Sequence, residues 1–392
     1  VNVRVADVYK GTVHAAILRR TSAGTEFSYV DGYEGADVAT TLALKSGPLT
    51  TSGASVPPYF AGLLPEGRRL TAIRRAIKAS ADDELSLLAA VGSDTVGDVS
   101  VFPAGRPMIS AEPEVIVKGE RVDRTFAEIV DAAAPFDRIG LPGVQDKVSG
   151  RMISYPARSG GGEYILKLNP PEFPHVVENE KYFLDLANTC GLDVVHARII
   201  RDTDEQSGLL VTRFDRVATV DGTTRLAVED ACQASNAWPA DKYSLGAAPA
   251  AMSLTRWCAA APVAARDLFR QFVFASLTGN GDLHAKNIAM MRGQSEWRIA
   301  PAYDLPCSLF YGDETMALEM DGSTAPLSRK RARRFAADLG VPLRAAERVM
   351  DDLLTKLTGL PARIEDGALP FPPALNRDVA RALAYRHRQL QA

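Results

Sequence analysis

Gly279-Asn280-Gly281-Asp282-Leu283-His284-Ala285-Lys286-Asn287 follows an amphipathic stretch and precedes a two-stranded pattern. The spacing of Leu268, Phe269, Phe272 and Val273 predicts a helix over 264–277 before it. Strands are predicted over 288–291 and 297–300 after it, turning at Gly293-Gln294 and leading into Pro301-Ala302-Tyr303-Asp304. A carboxylate, an amide five positions later and a second carboxylate beyond a hairpin suit phosphoryl transfer. Asp282 would accept or orient the proton of an acceptor hydroxyl, while Asn287 and Asp304 would offer Mg²⁺ hard oxygen ligands. Asp and Asn also populate loops because their side chains form local backbone turns, so either alone reads as structural. The ordered set is what makes the functional reading the stronger one. Lys286 is placed with Asp282 on the catalytic side, as a charge able to reach a γ-phosphate; the alternative for it is a solvent-exposed position. His284 is placed beside the nucleotide, where a loop-bracing hydrogen bond suits it better than direct chemistry.

The same interval from base to metal-binding amide occurs in the protein-kinase catalytic loop. That reading demands a phosphate-contacting lysine upstream on a strand and a helix glutamate to hold it. Lys167 lies in the apolar strand pattern Tyr164-Ile165-Leu166-Lys167-Leu168, where an unpaired charge is costly. Glu180 follows thirteen residues later near the start of a helix expected over 177–190, with Glu178 as a second candidate. Ahead of the strand, Gly140-Leu141-Pro142-Gly143-Val144-Gln145-Asp146-Lys147 could wrap phosphates with backbone N–H groups. It carries neither GxGxxG nor GxxxxGK[ST], so its spacing alone indicates a turn.

The whole chain fits this reading without requiring it. Its 392 residues suggest two or three domains. With 46% hydrophobic residues and a net charge of −3, it is neither disordered nor a chain that coats nucleic acid by bulk charge. Four cysteines without a CxxC pair indicate a reducing, cytoplasmic setting. The amino terminus, with Arg4, Asp7 and Lys10, lacks the apolar run of a signal peptide, and no apolar stretch is long enough to span a membrane.

Strands are expected over 3–8, 13–18, 27–30 and 97–102. Helices are expected from Glu66 through Leu70, Ile73 and Ile77, and from Asp82-Asp83 to Gly92. Beyond residue 213 the pattern is mostly helical.

Taken together, these motifs resemble the HipA-like toxin kinases. The resemblance rests on Leu141-Pro142-Gly143-Val144-Gln145-Asp146-Lys147, Ile165-Leu166-Lys167-Leu168, Glu178-Asn179-Glu180, Arg213-Phe214-Asp215-Arg216, Glu229-Asp230-Ala231-Cys232-Gln233, 282–287 and Tyr303-Asp304. Tyr59-Phe60-Ala61-Gly62-Leu63-Leu64-Pro65-Glu66-Gly67 and residues 87–103 resemble that family's amino-terminal subdomain. It implies an α+β, two-lobed protein-kinase-like fold. A β-rich subdomain would span 1–105, an ATP-binding portion 106–212 and a mostly helical catalytic lobe 213–392.

By position, the resemblance makes Asp282 the base and Asn287 and Asp304 the Mg²⁺ ligands. Lys167, held by Glu180, contacts ATP, and Gly143, Val144, Gln145 and Lys147 line its phosphates. Val211, Thr212, Arg213 and Phe214 match the hinge that holds adenine. It further implies a toxin that phosphorylates serine or threonine on a protein substrate such as an aminoacyl-tRNA synthetase. A small helix-turn-helix antitoxin of the HipB type would neutralise it and link it to operator DNA.

One departure stands out. The family loop usually carries an autophosphorylated serine three residues before the glycine, whereas this chain has Gly140 there and no hydroxyl side chain over 138–148. That off-switch is therefore expected to be missing, with Ser149 and Ser154 as the nearest hydroxyls.

Arg329-Lys330-Arg331-Ala332-Arg333-Arg334 is expected to be a solvated or acid-paired helix face, with nucleic-acid contact as the sharper alternative. Arg213, Asp215, Arg216, Glu229 and Asp230 suit structural ion pairs and a binding or lobe-bracing role about equally well. Two competing functions are a small-molecule kinase of the aminoglycoside or choline type, whose loop is similar to Gly281-Asp282-Leu283-His284, and a non-catalytic co-repressor of an antitoxin.

Overall fold

The computed structural model describes residues 2–80, 82–108, 115–133, 153–220, 222–293 and 295–392. Alternating burial builds its first sheet. Strand β1 (Val5–Lys10) buries Ala6 and Val8, and β2 (Val13–Arg20) pairs with it antiparallel across Gly11. With β3 (Gly24–Tyr29), β4 (Leu49–Ser52) and β5 (Val99–Pro103) the order is β4-β3-β2-β1-β5. Helices α1 (Pro58–Gly62), α2 (Gly67–Ile77) and α3 (Glu84–Val91) close one core with it, filled by Tyr59, Phe60, Leu85 and Leu88. Asp83 caps α3 by accepting from the Ser86 N–H at 3.0 Å.

A second sheet follows in the order β6-β7-β8-β10-β9. Its strands are β6 (Val115–Ile116), β7 (Ile153–Ser159), β8 (Gly162–Leu168), β9 (Ala197–Arg201) and β10 (Ser207–Thr212). Helices α4 (Phe126–Ala133) and α5 (Val176–Thr189) accompany it. The period of two sorts β8 cleanly. Leu166 and Leu168 enter a small core with Phe126, Ile200 and Leu210, so Lys167 faces the other way with its cross-strand partner Leu209. Leu209 and Val211 on that face join the core that contains Val177 and Phe183 of α5. The side chain of Lys167 is thereby delivered to α5.

The rest is mostly helical, as the periodicity indicates. It contains the β11 (Arg216–Thr219) and β12 (Gly222–Arg225) hairpin and a sheet of β13 (Val228–Asp230), β14 (Ala289–Arg292) and β15 (Trp297–Ile299). Helices α6 (Ala231–Ala234), α7 (Ala247–Thr255) and α8 (Ala261–Thr278) precede the loop at 279–287. Helices α9 (Arg329–Asp338), α10 (Leu343–Leu357), α11 (Leu360–Glu365) and α12 (Pro373–Gln391) complete the lobe. Among the described residues, no helix is long and apolar enough to cross a membrane.

Helix α8 stops at Gly279, whose φ of 70° is left-handed and whose missing side chain admits Leu309. Gly279→Ala meets both backbone strain and the Leu309 side chain. The variant is expected to lose about 1–3 kcal/mol, read as a lower urea midpoint at unchanged slope.

The arginines of the basic run on α9 are paired with acid and carbonyl groups. Arg329 reaches Glu347 at 3.0 Å and Asp351 at 2.6 Å, Arg333 reaches Glu347 and Arg334 reaches Asp321 at 3.2 Å. Arg331 donates to the carbonyls of Met320, Ser323, Ala325 and Pro326. This is the bland expectation for the run, and it leaves the nucleic-acid alternative without support.

Candidate active site

The loop after α8 is shaped by its own amides. The Asp282 N–H donates to Asn280 Oδ1 at 2.9 Å, and Asn287 Nδ2 donates to the Asp282 carbonyl at 2.8 Å. The His284 N–H donates to the same carbonyl, and the Asn287 N–H to that of His284. Ser308 Oγ accepts from the Gly281 N–H and donates to the Gly279 carbonyl, which anchors the loop's start. The five-residue interval between Asp282 and Asn287 is thus closed by a hydrogen bond. Because Nδ2 of Asn287 is committed to that bond, Oδ1 is the end left for a ligand. Tyr243 donates to Asp282 Oδ1 at 3.3 Å, and its ring meets His284 edge-on at 5.1 Å.

Lys167 lies between two carboxylates. Its Nζ is 2.6 Å from Glu180 Oε1 and also pairs with Asp304. Burial opposes the Lys167 charge, but Asp304 and Glu180 outweigh it and hold the pKa above the usual lysine range. Burial likewise pushes the Glu180 carboxyl up, against the pull of Lys167. Asp304 adopts φ 53°, a left-handed backbone that aspartate tolerates at a local cost of order 1 kcal/mol. Its carbonyl accepts from Asn280 Nδ2 at 3.4 Å, which ties the second carboxylate to the loop. Asn179 exchanges two hydrogen bonds with the Cys307 backbone and fixes α5 against the segment that follows Asp304. Glu178 turns aside to Asn169 at 3.3 Å, so Glu180 is the lysine's partner.

The hinge candidates divide. Val211 pairs with Ile165 and Ala197 within the sheet, and the Thr212 N–H donates to His196 at 2.8 Å. Phe214 stacks on Tyr303 at 5.8 Å. Arg213 departs from the expectation of a nucleotide contact: its guanidinium binds Asp215 at 2.9 Å, Asp94 at 2.5 Å and the Thr95 carbonyl. A buried guanidinium needs that many acceptors, and two of them, Asp94 and Thr95, lie in the first domain. Gly143, Val144, Gln145 and Lys147, like Gly140 and Ser149, lie outside the described residues.

Residues 139–359 match the HipA-like C-terminal domain, and residues 6–102 match the HipA N-terminal domain. The chain belongs to the HipA-like family of kinase toxins. It is 27% identical to the serine/threonine-protein kinase toxin HipA of Shewanella oneidensis, over 88% of this chain and 85% of that one. A Sinorhizobium fredii protein carrying a provisional kinase name, Y4dM, is 32% identical over 72% of this chain and 70% of its own length. The solved Shewanella oneidensis complex of HipA, HipB and operator DNA shares the fold, with a TM-score of 0.78 at 20% identity and coverage of 98% and 97%.

Two other assignments within this HipA-like site change. Lys286 is buried, 2.8 Å from Glu66 Oε1, and donates to the Gly62 carbonyl, so its charge is spent on the first domain and it gains no support as a direct catalytic group. His284 is buried and neutral: desolvation, then the Lys242 charge, lowers its pKa to about 3. Its ring packs edge-on against Tyr243, and its Nδ1 is buried without a hydrogen-bond partner among the described residues.

Sequence reasoning also left Asn280, Tyr243, Lys242 and Glu66 without roles. Asn280 and Glu66 lay inside quoted motifs, where a polar residue flanked by glycine or leucine-proline was the available signal. Nothing local marked Tyr243 or Lys242.

Glu229 and Asp230 are structural. Asp230 accepts from the Gln233 N–H at 2.8 Å in a capping box, and Glu229 accepts from the Thr40 N–H and hydroxyl at 2.8 and 2.6 Å. Burial raises the Glu229 carboxyl to about 7 despite the opposing Thr40 hydrogen bonds. A folded-state pKa above the unfolded one makes Glu229 favour folding at low pH and oppose it as pH rises from about 4.5 to 7. The swing is about 3 kcal/mol. Glu229→Gln should therefore gain stability relative to the parent across that window, which urea melts at pH 5 and 8 would measure.

Proposed function

We propose that this HipA-like chain transfers the γ-phosphate of ATP to a serine or threonine hydroxyl on another protein, with Mg²⁺ as cofactor. One observation carries the reading. An unbroken polar path runs from Lys167 to the Asp304 carboxylate, from the Asp304 carbonyl to Asn280, from Asn280 to Asp282 and from Asp282 to Asn287. Phosphoryl transfer asks the protein for little covalent chemistry and much positioning, and a path of this kind supports that reading. Lys167 would hold phosphate oxygens, with Glu180 keeping it charged and in place. Asp282 would accept the hydroxyl proton of the acceptor. The oxygen-only donors Asn287 and Asp304 fit a hard divalent cation, for which one or two side chains plus phosphates suffice. When bound, that ion would neutralise charge developing on the phosphate oxygens.

The acceptor protein we assign is a translation component such as an aminoacyl-tRNA synthetase, whose modification would arrest growth in the cytoplasm. The neutralising partner is a small helix-turn-helix antitoxin that connects the toxin to operator DNA. Support comes from the fold shared with a toxin solved together with HipB and its operator.

The test is to incubate the purified chain with γ-labelled ATP, Mg²⁺ and a cytosolic extract, then separate protein from small molecules. Label should appear as phosphoserine or phosphothreonine on protein and vanish with EDTA. Label confined to small molecules would overturn the assignment.

A further inference from the structure

Three charged side chains from distant parts of the chain meet beside the loop. Glu66 stands at the entrance to α2, Lys242 in the turn before α7, and Lys286 in the loop itself. Lys286 Nζ is 2.8 Å from Glu66 Oε1, and Lys242 Nζ pairs with Oε2 of the same carboxylate. The lysine side chains are only 14% and 15% exposed, so neither ammonium can rely on water as its counter-charge. The nearby carboxylate of Asp230 is engaged in capping α6. Glu66 is the carboxylate in direct contact with both, and the Asp230 charge adds to its pull on Lys286. Burial would raise its pKa, but Lys286 and Lys242 pull it down to about 2, so the cluster stays ionised at neutral pH.

Each lysine controls one flank of Asp282. The Lys242 carbonyl accepts from the Ala285 N–H at 3.1 Å, and the next residue, Tyr243, donates to Asp282 Oδ1. The Lys286 carbonyl accepts from the Tyr303 hydroxyl at 2.8 Å, adjacent to Asp304 on one side and Asn287 on the other. A single carboxylate from the first domain therefore ties down both strands of chain that present the reacting groups.

We propose that Glu66 is a positioning residue for phosphoryl transfer, holding the 282–287 loop in its productive shape through Lys242 and Lys286. The proposal rests on the reading of that loop as catalytic. It gives the amino-terminal domain a part in turnover that its distance in sequence would not suggest.

Charge reversal tests it on the full chain. Glu66→Lys places three ammonium groups together, while adding Lys286→Glu restores one carboxylate between two ammoniums. For Glu66→Lys, kcat should fall roughly 10- to 100-fold, the loss expected when a reacting group is slightly misplaced, with KM for ATP little changed. Backbone amides of 282–287 should exchange hydrogen faster by mass spectrometry, and the double variant should recover both properties. Unchanged exchange in Glu66→Lys, or a double variant no better than the single one, overturns the proposal. Should Glu66→Lys fail to fold, Glu66→Gln carries the same exchange measurement, and unaltered exchange there is equally decisive. If the parent chain transfers no phosphate, the kinase assignment falls, while the exchange data still judge the clamp.

Discussion

Asp282→Asn should bind nucleotide as the parent does and transfer phosphate roughly 10²–10⁴-fold more slowly, the range that a positioned acid–base group contributes. The amide has the carboxylate's shape, and its carbonyl end can still accept the Tyr243 hydroxyl. The loop's folding bonds involve the Asp282 main chain, which donates to Asn280 and accepts from Asn287 and His284. The substitution therefore removes basicity and negative charge while sparing the architecture. Single-turnover transfer to a protein acceptor, measured beside equilibrium nucleotide binding, separates these effects. Growth inhibition should disappear with transfer. A variant that transfers within tenfold of the parent would deny Asp282 its assigned role.

Lys167→Met should abolish transfer and also destabilise the fold, because the cation between Glu180 and Asp304 is gone. Glu180 is only 1% exposed, and breaking a buried pair by removing one partner costs about 3–5 kcal/mol. The folded chain can limit that cost by keeping Glu180 protonated. Its carboxyl, already raised by burial, rises further once Lys167 no longer opposes. With the folded-state pKa above the unfolded one, the variant is least penalised at low pH and loses stability as pH climbs through neutrality. The gap in melting temperature between parent and variant should therefore widen from pH 5.5 to 8. Lys167→Met combined with Glu180→Gln removes the stranded charge, so it should regain most of the stability and none of the transfer. A double variant as unstable and as pH-sensitive as the single one would contradict this account.

Much of this is legible in the amino-acid sequence. Helix α8 and its stop at Gly279, the β14–β15 hairpin, and Lys167 on a strand followed by Glu180 on a helix are local patterns. Hydrophobic period and turn chemistry encode such patterns within a dozen residues. What could not be read is who answers a charge from across the molecule. Arg213 sits where a hinge residue was expected, yet its guanidinium goes to Asp94, 119 positions away. Lys286 looked like a phosphate ligand and is instead held by Glu66. Glu229 finds Thr40, 189 positions away. A side chain's type says that burial demands a partner, but only the packing of the domains supplies its identity. Asn280 falls between the two cases, since its motif was visible while its link to the Asp304 carbonyl needed the hairpin's return path.

Helix α9 looks, by composition, like a polyelectrolyte surface, and its pairing changes what it could contribute to an assembly on nucleic acid. Cationic proteins gain affinity for a polyanion largely by expelling its condensed counterions. Arg329, Arg333 and Arg334 of α9 already have counterions in Glu347, Asp351 and Asp321, and Arg331 is spent on backbone carbonyls. A docking phosphate backbone would have to displace those carboxylates and would then lie against them, so little entropy of ion release remains to be collected. In any ternary assembly with an antitoxin and its operator, α9 should accordingly add little to the steepness with which added salt weakens DNA binding.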